Sequence, residues 1–234
     1  MKLICLETSA KTASAAVVTE GKVLGEISVT AGLTHSQTIL PAMEALLRGC
    51  SMKIADADGF AVSIGPGSFT GLRIGIGAVK GLAQGSGKGC VGVSTLEALA
   101  VNFSGLHYTV CPVMDARCGQ VYTSLFWANG DYPVRLWEDM AIPLSQLQEK
   151  LQSVEGEVML VGDGAEIAYA ALSESCKVLL APPAMRYQSA ASVGIAALHQ
   201  LQQNPMIPPD QLMPAYHRLP QAERELLARQ GAER

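Results

Sequence analysis

The 234-residue chain carries 17 Lys and Arg against 21 Asp and Glu, a formal net charge of −4. Apolar residues make up 49% of it and charged residues only 16%, which excludes a disordered chain and allows a sizeable core in one large domain or two small ones. The acidic balance and the lack of a basic run argue against this chain gripping a phosphate backbone by itself. The six cysteines, Cys5, Cys50, Cys90, Cys111, Cys118 and Cys176, form no CxxC pair and read as reduced, mostly buried cytosolic thiols. The first apolar run is interrupted at Glu7, too early for a signal peptide, and no stretch reads as a membrane span.

Strands are predicted at 3–6, 13–18 and 23–29, the last two joined by a Glu20-Gly21 turn. A helix is predicted over 36–48, with Thr34 and Gln37 in a capping box, Pro41 bending its start and Gly49 stopping it. A strand at 60–64, a glycine-rich turn, a helix at 69–84, a strand at 90–93 and a helix at 95–101 follow. The order then recurs: strands at 108–114, 121–127 and 134–138, a helix at 144–152, a strand at 158–161, a helix at 165–172, a strand at 178–180 and a long helix at 189–203. From about residue 205, Pro205, Pro208, Pro209 and Pro214 keep the chain extended. The charged run at 221–230 is expected either to form a short surface helix or to fray.

Three antiparallel strands followed by βα units imply a mixed sheet flanked by helices. Two such halves, expected at 1–103 and 104–234, are the duplicated α/β plan of actin, sugar kinases and Hsp70, with its RNase H-like unit. In that plan the first strands of the two halves are equivalent. Glu7 and Asp115, which end them, could both face the cleft between the halves. The loops after them hold no well-placed glycine for phosphate, so Mg-ATP binding is poorly supported and no cofactor is expected. Gly162 and Gly164 are weak candidates for an adenosine contact, and a plain strand-to-helix turn explains them better.

The most specific run is Gly65-Pro66-Gly67-Ser68-Phe69-Thr70-Gly71-Leu72-Arg73-Ile74-Gly75. Between a strand and a helix, its backbone amides could hold an anion, although no GK[ST] closes it as a P-loop. The competing reading is a tight turn whose glycines only permit close backbone approach. The two longest helices of the first half are apolar over wide stripes: Ile39, Leu40, Met43, Leu46 and Leu47 on one, and Leu72, Ile76 and Val79, with Ile74, Ala78 and Leu82, on the other. These stripes either cover the sheet and each other or present apolar surface to a partner.

The run at 65–75 resembles the signature of the TsaB (YeaZ) family, the non-catalytic partner in bacterial tRNA threonylcarbamoyladenosine synthesis. Leu6-Glu7-Thr8-Ser9, Thr34-His35-Ser36, Met114-Asp115-Ala116-Arg117 with Val121-Tyr122, and Pro214-Ala215-Tyr216-His217-Arg218 are similar to further family segments. The resemblance implies an accessory subunit that binds a TsaD-type catalytic subunit and, through the complex, a TsaE-type ATPase and tRNA. It implies partner binding through a bundle of the two helices above, and their stripes suggest a homodimer when the chain is alone. Catalytic relatives carry an HxxxH metal pair. Here His35 is followed at the second ligand position by Ile39, which cannot ligate. An ATP-dependent phosphotransferase and a metallopeptidase-like enzyme are the alternatives.

Overall fold

The computed structural model describes residues 1–218; the charged run at 221–230, expected as a short helix or a frayed end, lies outside them. The chain opens with β1 (Lys2–Glu7), β2 (Ala13–Thr19) and β3 (Lys22–Val29), an antiparallel meander. It continues through α1 (His35–Gly49), β4 (Gly59–Gly65), α2 (Phe69–Ser86), β5 (Cys90–Ser94) and α3 (Thr95–Val101). The second series is β6 (Thr109–Asp115), β7 (Gln120–Trp127), β8 (Val134–Pro143), α4 (Leu144–Gln152), β9 (Val158–Val161), α5 (Ala165–Leu172), β10 (Val178–Leu180), a single turn α6 (Pro183–Arg186) and α7 (Ala190–Gln200).

The two five-stranded sheets have the same plan. One runs β3-β2-β1-β4-β5 and the other β8-β7-β6-β9-β10, so β1 and β6 are equivalent central strands. In each, the meander is antiparallel and the last two strands add in parallel. This is the duplicated actin-like α/β architecture. Strands β1, β2 and β4 are buried along nearly their whole length, as sheets covered on both faces must be.

One face of the first sheet is covered by α1 and α2, the other by α3 and α7. Helix α3 also packs on β6 and β7, so it is shared between the sheets. Helix α7, although late in the chain, lies on β1 and β2 of the first sheet. The two halves are tied by polar contacts around this shared layer. Ser94 Oγ donates to Asp139 at 2.6 Å, Arg135 pairs with Glu97 at 3.6 Å, and Tyr132 Oη donates to Glu97. Among the described residues no helix is long and apolar enough to cross a membrane.

Two local expectations need correction. Thr34 is the N-cap of α1, but its side chain makes no capping bond; Thr34 Oγ1 instead lies 3.2 Å from Ser36 Oγ. Strand β8 runs on to Pro143, where it still pairs with Gln120 of β7, a partner not visible locally, and α7 ends at Gln200.

Candidate functional site

The glycine-rich turn joins β4 to α2, and its glycines are there for close approach. A Cβ at Gly67 would lie 2.5 Å from the Ser9 carbonyl oxygen, one at Gly71 2.1 Å from that of Thr8, and one at Gly75 2.3 Å from Thr8 Oγ1. Hydrogen bonds lock the same contact. Ser68 N–H donates to the Ser9 carbonyl at 2.6 Å, and Thr8 Oγ1–H donates to the Gly71 carbonyl at 2.8 Å. Ser68 caps α2 by accepting from Gly71 N at 3.2 Å. So two of the amides that could have met an anion are spent on the chain itself. Those of Phe69 and Thr70 have no hydrogen-bond partner among the described residues, and both residues line the cleft.

The C-terminal segment crosses this turn. Ala215 N–H donates to the Ile64 carbonyl at 2.8 Å, Tyr216 stacks on Phe69 at 4.6 Å, and Arg73 Nε donates to Tyr216 Oη at 3.0 Å. The Arg73 guanidinium also sits 3.8 Å from the centre of the Phe69 ring, a cation–π contact. Arg218 then donates to the Ala116 carbonyl in the second half. Three segments distant in sequence, 6–9, 65–75 and 214–218, therefore form one contact.

Beneath it lies a cavity of about 330 Å³ between the halves. Ser9 and Lys11 enter from the loop after β1, Asp115 from the end of β6, Arg117 from the loop after it, and Asp163 from the turn after β9. Asp115 thus faces the cleft as the strand equivalence predicts. Glu7 does not line it: the carboxylate is fully buried beside it. Glu7 Oε1 accepts from Ser9 N–H at 2.5 Å, while Glu7 Oε2, Ser9 Oγ and Ser63 Oγ lack a well-formed partner among the described residues. Gly162 and Gly164 are a packing turn. Their added Cβ atoms would meet the Val113 carbonyl at 2.3 Å and Asp115 N at 2.8 Å. Asp163, between them, lines the cleft with Ser9 and Lys11, although the sequence offers none of the three as a site residue by itself. Polar residues in loops carry no periodicity that would have marked them.

Burial pushes the Glu7 carboxyl up, and the Ser9 amide with the Ser9 and Ser63 hydroxyls only partly offsets this; the Asp163 charge adds to the rise. Asp163 is raised too, first by burial and then by Asp115, against the opposing effects of Gln188 and Lys11. With folded values above the ordinary carboxylate range, it is the ionised forms that folding penalises. That penalty is full above the raised values and fades as pH falls through them toward the unfolded value. Urea stability is therefore expected to rise as the pH is lowered from neutral toward the ordinary carboxylate range. Glu7→Gln should stabilise the protein at neutral pH and flatten that rise, since a neutral amide oxygen still accepts from Ser9 N–H. A variant less stable than wild type across the range would contradict this account.

The predicted partner stripe is core. Ile39, Met43, Leu46, Leu47, Leu72, Ile76 and Val79 are all buried, packed with Ile4, Phe60 and Val62 of the sheet; only Leu40, at 46% exposure, faces solvent. The stripe at i, i+4 and i+7 on α2 is the face that must meet β4. The open face of α2 carries Gly77, Gly81 and Gly85, where an added Cβ meets nothing within 4 Å, with Ile74 and Ala78 half-buried at its edge. Beside it lies an apolar groove of about 430 Å³ lined by Ile54, Ala55, Leu82 and Lys88. His35 Nε2 bonds the Ala10 carbonyl at 2.6 Å, and Ile39, at 1% exposure, occupies the second position of the expected metal pair.

Proteins called tRNA threonylcarbamoyladenosine biosynthesis protein TsaB are similar to this chain along most of their length. That of Bacillus subtilis is 33% identical over 69% of this chain and 71% of its own, and that of Escherichia coli 32% over 70% and 72%. The chain belongs to the TsaB (YeaZ) family. The family model for TsaD, tRNA N6-adenosine threonylcarbamoyltransferase, also matches residues 28–226, so this chain and the transferases share one sequence lineage. The structure of YeaZ from Pseudomonas aeruginosa superposes with a TM-score of 0.76 at 23% identity, covering 92% of this chain and 99% of the other; the two share a fold. The segments that carry the TsaB resemblance, including Gly65, Pro66, Arg73, Arg117 and Tyr122, gather around the cleft and its strap.

Proposed function

We propose that this chain is an accessory subunit of tRNA threonylcarbamoyladenosine synthesis, without chemistry of its own, that binds and supports a TsaD-type catalytic subunit. A TsaE-type ATPase and tRNA join through the complex, and the chain pairs with itself when that subunit is absent. Its setting is the cytoplasm, and its two units divide near residues 103 and 104, between α3 and β6. The observation that carries the reading is the fate of the metal-pair position. Ile39 is committed to the core, and the Nε2 of His35 is committed to the Ala10 carbonyl, so helix α1 offers no two-ligand face. The family to which the chain belongs supplies the pathway.

A phosphotransferase is disfavoured because the amide of Ser68 is bonded to the Ser9 carbonyl and that of Gly71 to the Ser68 hydroxyl. A metallopeptidase is disfavoured by the same Ile39. The test is reconstitution with a TsaD-type protein, a TsaE-type ATPase, the threonylcarbamoyl donor and tRNA. Modified adenosine is expected only when the TsaD-type protein is present, and formation falls when this chain is withheld. ATP turnover or tRNA modification by the purified chain, lost in Asp115→Asn, would refute the non-catalytic reading.

A further inference from the structure

The cleft between the halves is built like a small-molecule site that the accessory role does not use. Its volume, about 330 Å³, lies at the small end of ligand pockets, which run from roughly 300 to 1,000 Å³. Its charges are mixed and come from both halves. Lys11 enters from the first, Arg117, Asp115 and Asp163 from the second, and His217 and Arg218 from the C-terminal segment, Arg218 being bonded to the Ala116 carbonyl. The side chains of Lys11 and Arg117 make no hydrogen bond or ion pair among the described residues, although Lys11 is near enough to act on Asp163.

Two further features sit on the wall opposite the carboxylates' turns. Helix α2 points its N-terminus at the cavity, with the amides of Phe69 and Thr70 unspent, a setting that favours one anionic group. Ser9 is 1% exposed and lines the cavity, and its Oγ makes no well-formed hydrogen bond among the described residues, although it lies close enough to Glu7 to oppose the rise of that carboxyl. A buried hydroxyl without a partner is costly in an empty site and is satisfied by a polar ligand.

The balance of these groups selects the ligand. A simple anion would suit Lys11, Arg117 and the helix end but would be repelled by Asp115 and Asp163. A simple cation meets the reverse problem. A polyphosphate would need the full set of turn amides, and those of Ser68 and Gly71 are already bonded. We propose that the cleft binds a small zwitterion of the α-amino-acid class, its carboxylate held by Lys11, Arg117 and the α2 N-terminus, its ammonium by Asp115 and Asp163. Bound there, the ligand bridges the two halves, since its carboxylate draws on Lys11 and the α2 N-terminus of the first half while its ammonium draws on Asp115 and Asp163 of the second. It would also relieve the raised pKa of Asp163 by placing a cation beside it.

The experiment is thermal unfolding and calorimetric titration of the full-length protein with each common L-amino acid. Acetate, ethylamine, inorganic phosphate and AMP are the comparison probes. At least one small amino acid is expected to bind at up to about 10 mM and to raise the melting temperature. Acetate and ethylamine, each carrying one half of the charge pair, should not do so at the same concentration. Arg117→Ala and Asp163→Asn, each shown to be folded by circular dichroism, should weaken binding by about ten-fold or more. Lys150→Ala, on α4 over the Trp137 ring, should leave it unchanged. Silence from every amino acid overturns the proposal. So does binding that ignores both cleft substitutions, or binding of phosphate or AMP with amino acids silent. None of these outcomes bears on whether the chain supports a TsaD-type subunit, which reconstitution tests separately.

Discussion

Alanine at Gly71 is expected to cost about 3 kcal/mol or more of stability, enough to unfold a marginal domain. The added methyl would stand 2.1 Å from the Thr8 carbonyl oxygen, which is backbone and cannot swing aside as a side chain can. Thr8 follows directly on β1, the central strand of the first sheet, paired on one side with β2 and on the other with β4. The helix cannot retreat either. Thr8 Oγ1 holds the Gly71 carbonyl, Ser68 N–H holds Ser9, and Leu72 is wedged in the core beneath. Relief would require parting α2 from the sheet, with loss of the buried faces of Leu72, Ile76 and Val79. The informative contrast is Gly77, on the open side of the same helix. There an added Cβ meets nothing, and helix propensity alone predicts that alanine gains about 1 kcal/mol. Urea unfolding of the two variants side by side is the check. A Gly71→Ala protein that melts like wild type would show that the loop after β1 is far softer than its hydrogen bonds imply.

The same contact explains what could and could not be read from the sequence. Apart from the single turn α6, the order of helices and strands was legible, because alternating and helical apolar patterns are local. The repeat of strands and helices was enough to give the duplicated fold. What the pattern could not give was which side of α2 faces the sheet. This helix is apolar on nearly all sides: Leu72, Ile76 and Val79 form one stripe, Ile74, Ala78 and Leu82 another. Only the register with β4 and Thr8 decides that the first is core. On α1, Ile39, Met43, Leu46 and Leu47 are core for a like reason, packed against β2 and its neighbours, and a single exposed Leu40 is what remains of the expected patch. The glycines were legible as permissive residues, but their partners, the carbonyls of Thr8, Ser9 and Ala215, lie up to the far end of the chain. For the same reason the meeting of Lys11 and Asp163 in one cleft, and the return of α7 to the first sheet, left no local signal.

Bulky substitution at Gly81 is expected to weaken self-association and binding of a TsaD-type partner together while leaving the fold intact. Gly77, Gly81 and Gly85 recur every four residues, so they stack along one side of α2. All three are exposed, with nothing near an added Cβ. A helix without side chains on one face lets another helix approach its backbone, which raises dispersion contact over the length of the crossing. The groove lined by Ile54, Ala55 and Leu82 continues this face with apolar surface, and Leu40 on α1 adds a protruding anchor at the other end. Isolated, the glycines cost helix stability, at about 1 kcal/mol each relative to alanine, a cost that an interface would offset. Gly81→Leu places a side chain where the neighbouring backbone would lie, and the isolated chain should tolerate it because the space is open. Light scattering should then show the wild-type protein as a dimer and the variant as a monomer, and affinity for the TsaD-type subunit should fall by about a hundred-fold. Leu40→Glu should act in the same direction, more weakly. Charges at Leu46 or Ile76 would be uninformative about binding, since both residues are core and their variants should lose the fold first. A folded Gly81→Leu chain that still dimerises and still captures its partner at wild-type affinity would place the interface on another face.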